Sequence, residues 1–138
     1  MKDDVILRVM AKQLMPFIIL FALYVQFHGD FGPGGGFQAG VIFASAFVLY
    51  VLVYGMETAE RIFPAGTFRT GIAAGVLIYC VVGVLGMALG GNFLDYGVLA
   101  ADAKVGQHIG IMVIEFGVGV TVAAVMIAAL YAFARPRD

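Results

Sequence analysis

The chain has 138 residues, of which 62% are hydrophobic and 12% charged, whereas typical soluble domains have about 45–50% apolar and about 25% charged residues. Eight Lys and Arg against nine Asp and Glu give a net charge of −1, so the chain lacks the basic surplus that binds nucleic acid. The single cysteine, Cys80, excludes an internal disulfide and a zinc site built from several cysteines. The composition therefore predicts an integral membrane protein with no cofactor and no metal site.

Four apolar segments have about the length that a bilayer crossing needs. A hydrocarbon core about 30 Å thick takes roughly 20 residues of helix, and lipid offers no partner for an unpaired backbone group. We therefore predict one all-α membrane domain, residues 1–138, with four transmembrane helices. The predicted spans cover residues 3–26, 37–56, 70–89 and 108–133.

The first span joins an amphipathic start to an apolar run. Asp4, Arg8 and Lys12 recur every fourth residue and form one polar stripe on a helix. The start lacks the basic region of a signal peptide, and no small-residue cleavage site ends the apolar run. We therefore expect this segment to be retained as a span.

The distribution of Lys and Arg predicts the orientation. Seven of them flank the spans on one side, and only Lys104 lies on the other. Cytoplasmic flanks carry the basic excess, so both termini are predicted to be cytoplasmic, in a multi-pass protein of the cell membrane. The seven are Lys2, Arg8, Lys12, Arg61, Arg69, Arg135 and Arg137.

Glycines at helical spacing predict where the spans pack, because small residues let helix backbones approach in lipid. The candidate packing positions are Gly71, Gly75, Gly86 and Gly90 in the third span and Gly110 and Gly117 in the fourth. Glu115 lies on the opposite face of the fourth span. A helix with such different faces should be covered on both sides, which predicts partner chains. In the alternative, Glu115 faces a water molecule or a backbone donor within this chain.

A glycine-rich segment joins the first two spans. It has a formal match to a dinucleotide fingerprint, but its flanks are membrane spans rather than a βαβ unit, which excludes that site. A flexible turn would account for the proline and some of the glycines. The other interpretation is a functional or subunit-contact segment, since irregular backbone at membrane depth is tolerated when it is buried in protein or lines an aqueous cavity. Its residues are Pro33, Gly34, Gly35, Gly36, Phe37 and Gln38.

Four titratable residues are candidates for a proton or cation relay. Glu115 is one because ionisable residues inside the membrane are costly and are often functional. His108 lies seven residues earlier on the same helical face, although it could equally be a cap or loop residue. His28 and Asp30 lie in the loop before the second span, where they could also form an ordinary polar cap.

The stretch from His28 to Gly40 resembles a family signature, that of the MnhB (MrpB) components of the Mrp-type multisubunit cation/proton antiporters. The family pattern is His-Gly-His-x-x-Pro-Gly-Gly-Gly-Phe-Gln-x-Gly, and Asp30 stands here in place of the second histidine. Residues 114–123 are similar to the last span of that family.

The resemblance implies an accessory subunit without enzymatic activity. It implies other membrane subunits of a hetero-oligomeric antiporter as partners, within a lipid bilayer, and Na⁺ and H⁺ as the transported ions. Related subunits occur in membrane-bound hydrogenases, so a scaffold role there is an alternative. A small homodimeric proton-coupled exporter is a third possibility, but such transporters carry a glutamate in the first span, and this chain has none there.

Overall fold

A computed structural model describes residues 4–29 and 32–134. The described residues form helices and no strands. Four of the helices are long and apolar enough to cross a membrane, which confirms the predicted all-helical class with four candidate spans. The α-helices are α1 (Val5–His28), α2 (Gly36–Tyr54), α3 (Met56–Ile62), α4 (Ala65–Ala88) and α5 (Ala103–Ala134), and a 3-10 helix covers Tyr96–Leu99.

The helix bounds differ from the predicted spans at the connection between the second and third spans and at the start of the fourth. The second span stops early because Gly55 has a φ of +89°, a left-handed conformation that glycine adopts readily. The short α3 follows, and α4 begins directly after Pro64, a residue suited to a helix start. Helix α5 begins at Ala103, five residues before the predicted span. Hydropathy alone could not locate these ends, because the added turns are partly polar.

The long helices pack as a row in the order α1, α2, α5, α4. An aromatic cluster joins three of them near one end, where the ring of Phe68 lies 5.6 Å from that of Phe47 and 5.2 Å from that of Tyr131. The hydroxyl of Tyr131 donates to the carbonyl of Phe63 at 2.9 Å. These contacts hold the α3–α4 connection against the C-terminal part of α5.

The same end of the bundle holds the start of α1. The hydroxyl of Tyr54 donates to the carbonyl of Arg8 at 3.1 Å, and the Arg8 guanidinium lies 5.6 Å from the centre of the Tyr54 ring. We call this the basic end, because Arg8, Arg61 and Arg69 all belong to it. Lys104 lies at the start of α5, at the opposite end.

Helices α4 and α5 cross closely through three of the predicted packing glycines. A β-carbon added at Gly75 would meet the Thr121 hydroxyl and lie 2.5 Å from the carbonyl oxygen of Gly117. One added at Gly117 would lie 3.1 Å from the carbonyl oxygen of Gly75, and one at Gly71 would lie 3.2 Å from the β-carbon of Ala124. The two backbones are therefore in direct contact, as small residues permit in membranes.

The other three predicted packing glycines have different surroundings. A β-carbon at Gly110 would lie 2.5 Å from the Tyr96 ring, and one at Gly86 would lie 3.1 Å from the carbonyl oxygen of Asn92. Both positions therefore accommodate the loop between α4 and α5 rather than another helix. At Gly90 an added β-carbon would have no atom within 4 Å, so this residue ends α4 without a packing role in this chain.

The tyrosine that packs on Gly110 is itself partly withdrawn from solvent. Burial raises the pKa of the Tyr96 hydroxyl, which favours its neutral form.

We predict that Gly75→Ala destabilises the protein although alanine is the better helix former. The added methyl group would overlap Gly117 and Thr121, and overpacking typically costs about 1–3 kcal/mol. Thermal unfolding of the purified chain in mild detergent should show a lower midpoint. Gly66→Ala is the matched control, because its β-carbon would have no atom within 4 Å; an equal effect of both substitutions would contradict the proposed helix contact.

Candidate functional site: a glutamate at a glycine turn

The segment between α1 and α2 folds back on the last turn of α1. The amide of Gly35 donates to the backbone carbonyl of Val25 at 3.2 Å, and the amide of Gly32 donates to the backbone carbonyl of His28 at 3.2 Å. Gly35 has a φ of +120°, a conformation that side-chain-bearing residues rarely adopt. We call Gly29 and residues 32–35 the glycine turn.

The carboxylate of Glu115 lies against the backbone of the glycine turn. A β-carbon added at Gly29 would lie 2.7 Å from Glu115 Oε2, and one added at Gly35 would lie 3.0 Å from Oε1. Glu115 itself is half-buried on α5. The turn therefore has room for this carboxylate because glycine occupies both positions.

Helix α2 begins in main-chain contact with α5. A β-carbon at Gly36 would overlap the carbonyl oxygen of Glu115 and lie 2.7 Å from its carbonyl carbon. One turn later, a β-carbon at Gly40 would lie 2.7 Å from the carbonyl oxygen of Gly119. The Gly36-x-x-x-Gly40 spacing is a small-residue motif of the kind that joins membrane helices, and it is the signal by which the sequence could have indicated this contact, which the sequence analysis did not predict.

The position of Glu115 is electrostatically favourable for a negative charge. Gly35 is the N-cap of α2 and supplies no side-chain cap, so the first amides of α2 have no capping side chain from their own segment. The N-terminus of a helix carries a partial positive charge, and a nearby carboxylate is typically stabilised by about 0.3–1 kcal/mol. Glu115 therefore supplies a negative charge near the N-terminus of α2, although it belongs to α5.

Gln26 is a buried polar residue that sequence reasoning did not identify. A β-carbon added at Gly119 would lie 2.7 Å from Gln26 Oε1 and 3.2 Å from the carbonyl oxygen of Gly36. The amide of Gln26 therefore fills the junction of α1, α2 and α5, one turn below Glu115. An isolated amide at the end of an apolar span was the only signal in the sequence.

The structure corrects the expectation that partner chains must cover both faces of α5. Helix α4 covers the face that carries Gly117, and α2 with the glycine turn covers the face that carries Glu115. The alternative interpretation, that Glu115 faces groups within this chain, describes the observed arrangement. Coverage by other subunits is not needed to explain the two faces.

The remaining relay candidates lie around this site. His28 stacks on Tyr24 with ring centres 5.2 Å apart, and its Nε2 atom would lie 3.0 Å from a β-carbon at Gly32, so it stands at the α1 side of the turn. His108 is half-buried on α5, about 10 Å from Glu115 along the helix axis. Asp30 lies outside the described residues.

Three residues of the predicted contact segment have side chains directed away from the core. Pro33 and Gln38 are exposed, and Phe37 is 60% exposed at the start of α2. Gln38 Oε1 lies 3.6 Å from a β-carbon position at Gly35, close to Glu115. Among the described residues no group of three or more His, Cys, Asp and Glu side chains could hold a metal ion.

The fold and site define a small four-span membrane protein whose last span places a carboxylate at a glycine turn between the first two. A family model described as "Domain related to MnhB subunit of Na+/H+ antiporter" matches residues 6–128. The chain therefore belongs to the MnhB family.

Curated relatives carry the name antiporter subunit mnhB2. They include proteins of Staphylococcus aureus strains Newman, JH1 and COL, each 35% identical to this chain over 94 residues. The matched region covers 68% of this chain and 66% of each relative. The chain thus spans slightly less than two thirds of the length of these relatives.

We predict that Gly36→Ala lowers the stability of the chain by about 1–3 kcal/mol, because α2 and α5 must separate to accept the methyl group. The neighbouring substitution Phe37→Ala removes a largely exposed side chain and should change the stability of the isolated chain little. Thermal unfolding in detergent measures both. If Gly36→Ala proved neutral, α2 and α5 would not be in main-chain contact at this point.

Proposed function

We propose that this chain is an accessory transmembrane subunit of a multisubunit antiporter that exchanges a monovalent cation, Na⁺, for protons. The observation that carries the proposal is the family match over residues 6–128. The names of the relatives support it, because they describe antiporter subunits. In this role the chain is a component of a transporter, not an enzyme.

Other membrane subunits of a hetero-oligomeric complex are the proposed partners. The family description and the relatives' names refer to antiporters, which favours this assembly over a scaffold in a hydrogenase and over a self-contained homodimeric exporter. The exposed Phe37, next to the glycine turn, is a candidate contact with a neighbouring subunit. Pro33 and Gln38 belong to the same candidate surface.

The proposed orientation in the cell membrane is supported by the basic end. Arg8, Arg61 and Arg69 lie there and Lys104 lies opposite, and the positive-inside rule supports a cytoplasmic location for the basic end. Both ends of the chain would then face the cytoplasm. The glycine turn and the start of α5 would face outward.

Glu115 is the proposed centre of a proton or cation relay, with His28, Asp30 and His108 as further members. The carboxylate lies inside a candidate span, where an ionisable group is costly and commonly functional. Its position against the glycine turn leaves it on the outward side of the Gly36–Gly40 contact. His28 at the turn and His108, about 10 Å away along α5, are then the candidates for exchange with the outer surface.

The proposed assembly predicts the outcome of a purification. When the tagged chain is extracted from its native membrane in mild detergent, several other membrane proteins should co-purify in fixed proportion, as mass spectrometry can show. Recovery of the chain only as a homodimer would contradict the proposed assembly. Co-purification with hydrogenase subunits would support the scaffold alternative instead.

The relay predicts a defect in Glu115→Gln, which keeps the size of the side chain but removes its charge. With assembly of the complex verified, we expect Na⁺/H⁺ exchange in membrane vesicles to fall by at least about tenfold, or its pH profile to shift, as for loss of a proton-transferring group. Glu57→Gln, at an exposed carboxylate on α3, is the control. A wild-type rate and pH profile in Glu115→Gln would show that Glu115 has only a structural role.

A further inference from the structure

Two basic side chains stand one helical turn apart on the polar stripe of α1. Arg8 and Lys12 are both exposed, and residues four apart on a helix have β-carbons about 5–6 Å apart. Like charges at this spacing repel each other. The carboxylate at the start of the stripe, Asp4, caps α1, where its Oδ1 atom accepts from the amide of Leu7 at 3.2 Å. An anion that contacts both basic side chains would relieve their repulsion.

Helix α2 holds the first of these cations in position. The Arg8 guanidinium lies 5.6 Å from the centre of the Tyr54 ring, and the Tyr54 ring stacks on that of Tyr50 with centres 4.7 Å apart. The attraction between a cation and an aromatic ring needs no hydrogen-bond acceptor, so this contact orients Arg8 and leaves its N–H donors for an oxygen ligand. Arginine is suited to phosphate, which it can bind through two parallel hydrogen bonds.

The stripe on α1 changes from cationic to apolar as it continues toward the glycine turn. Ile19 and Leu23 lie within about 60° of Arg8 and Lys12 around the helix axis. Ile19 is half-buried, and Leu23 is 46% exposed. Residues 14–27 contain no Asp, Glu, Lys or Arg. An apolar surface therefore begins about two turns beyond the second cation.

Aromatic side chains of α2 line the other side of this surface. Helix α2 runs antiparallel to α1, and the contact between Arg8 and Tyr54 sets their register. Tyr50 and Phe43 lie about one and three turns earlier on α2, level with the second cation and with the apolar part of the stripe. Phe43 is 41% exposed, and the three aromatic residues lie within about 40° of one another around α2. We call the surface between the two rows the α1–α2 groove.

The α1–α2 groove has the chemistry of a phospholipid site. Tyrosine is enriched where membrane helices meet the headgroups, and basic pockets between such helices bind anionic headgroups. We propose that the groove binds one anionic phospholipid, whose phosphate contacts Arg8 and Lys12 and whose acyl chain lies along Ile19, Leu23 and Phe43. An acyl chain runs from its phosphate directly into the hydrocarbon, as the groove does, which favours a lipid over a carboxylate of a neighbouring subunit.

Photoactivatable lipids test this site in the assembled complex. Membranes that contain the complex are supplied with phosphatidylglycerol or phosphatidylcholine, each with the same diazirine-bearing acyl chain, and the labelled residues are identified by mass spectrometry after irradiation. The variant chain carries Arg8→Gln together with Lys12→Gln, which removes both charges. Arg69→Gln is the matched control, because this exposed arginine of the basic end lies on α4, at the other end of the helix row.

We expect phosphatidylglycerol to label Ile19 and Leu23 at least about fivefold more than phosphatidylcholine does. The two lipids should label Phe17, which is 69% exposed on another face of α1, about equally. The preference at the groove should vanish in the double variant and persist in Arg69→Gln. The comparison of the two lipids on the unsubstituted chain tests the site even if the double variant fails to assemble.

Three results would overturn the site. Equal labelling of the groove by the two lipids would show that no headgroup is selected there. A preference that survives the loss of both cations, or that also appears at Phe17, would show attraction to the whole basic end. Labelling of Phe17 with none at Ile19 and Leu23 would show that a neighbouring subunit covers the groove.

Discussion

The close approach of α2 to α5 determines the rest of the arrangement. Because Gly36 and Gly40 have no side chains, the α2 backbone can lie directly on Glu115 and Gly119. This contact brings the glycine turn to the level of the carboxylate and lets Gln26 reach Gly119 from α1. It also fixes where the first two helices end relative to the last two. The position of Glu115 and the level at which the first two helices end are thus two consequences of one packing contact.

The surroundings of Glu115 suit a carboxylate inside a membrane span. A carboxylate in a membrane needs compensation, and here the glycine turn and the positive end of the α2 dipole lie beside it. Neither of these groups titrates. Loss of the charge at Glu115 would therefore weaken its interaction with the turn directly. The contacts of Gly36, Gly40 and Gln26 with α5 would remain. In the proposed relay, a proton could therefore pass Glu115 without a rearrangement of the fold.

The sequence predicted the four spans because the demands of lipid on length and hydropathy act locally along the chain. It also predicted that Gly75 and Gly117 lie at helix contacts, since their spacing is a local pattern. It could not tell that Gly86 and Gly110 accommodate a loop, because a small residue does not specify what packs on it. The contact of Glu115 with Gly29 and Gly35 joins residues far apart in sequence, and no periodicity indicates such a pair. Gln26 was missed for the same reason.

A structure of the complete complex determined by electron cryomicroscopy tests the central contact most directly. The account predicts that the Glu115 carboxylate lies within about 3.5 Å of main-chain nitrogens of the glycine turn, with α2 and α5 in backbone contact at Gly36. A Glu115 side chain directed at another subunit, with side chains separating α2 from α5, would contradict it.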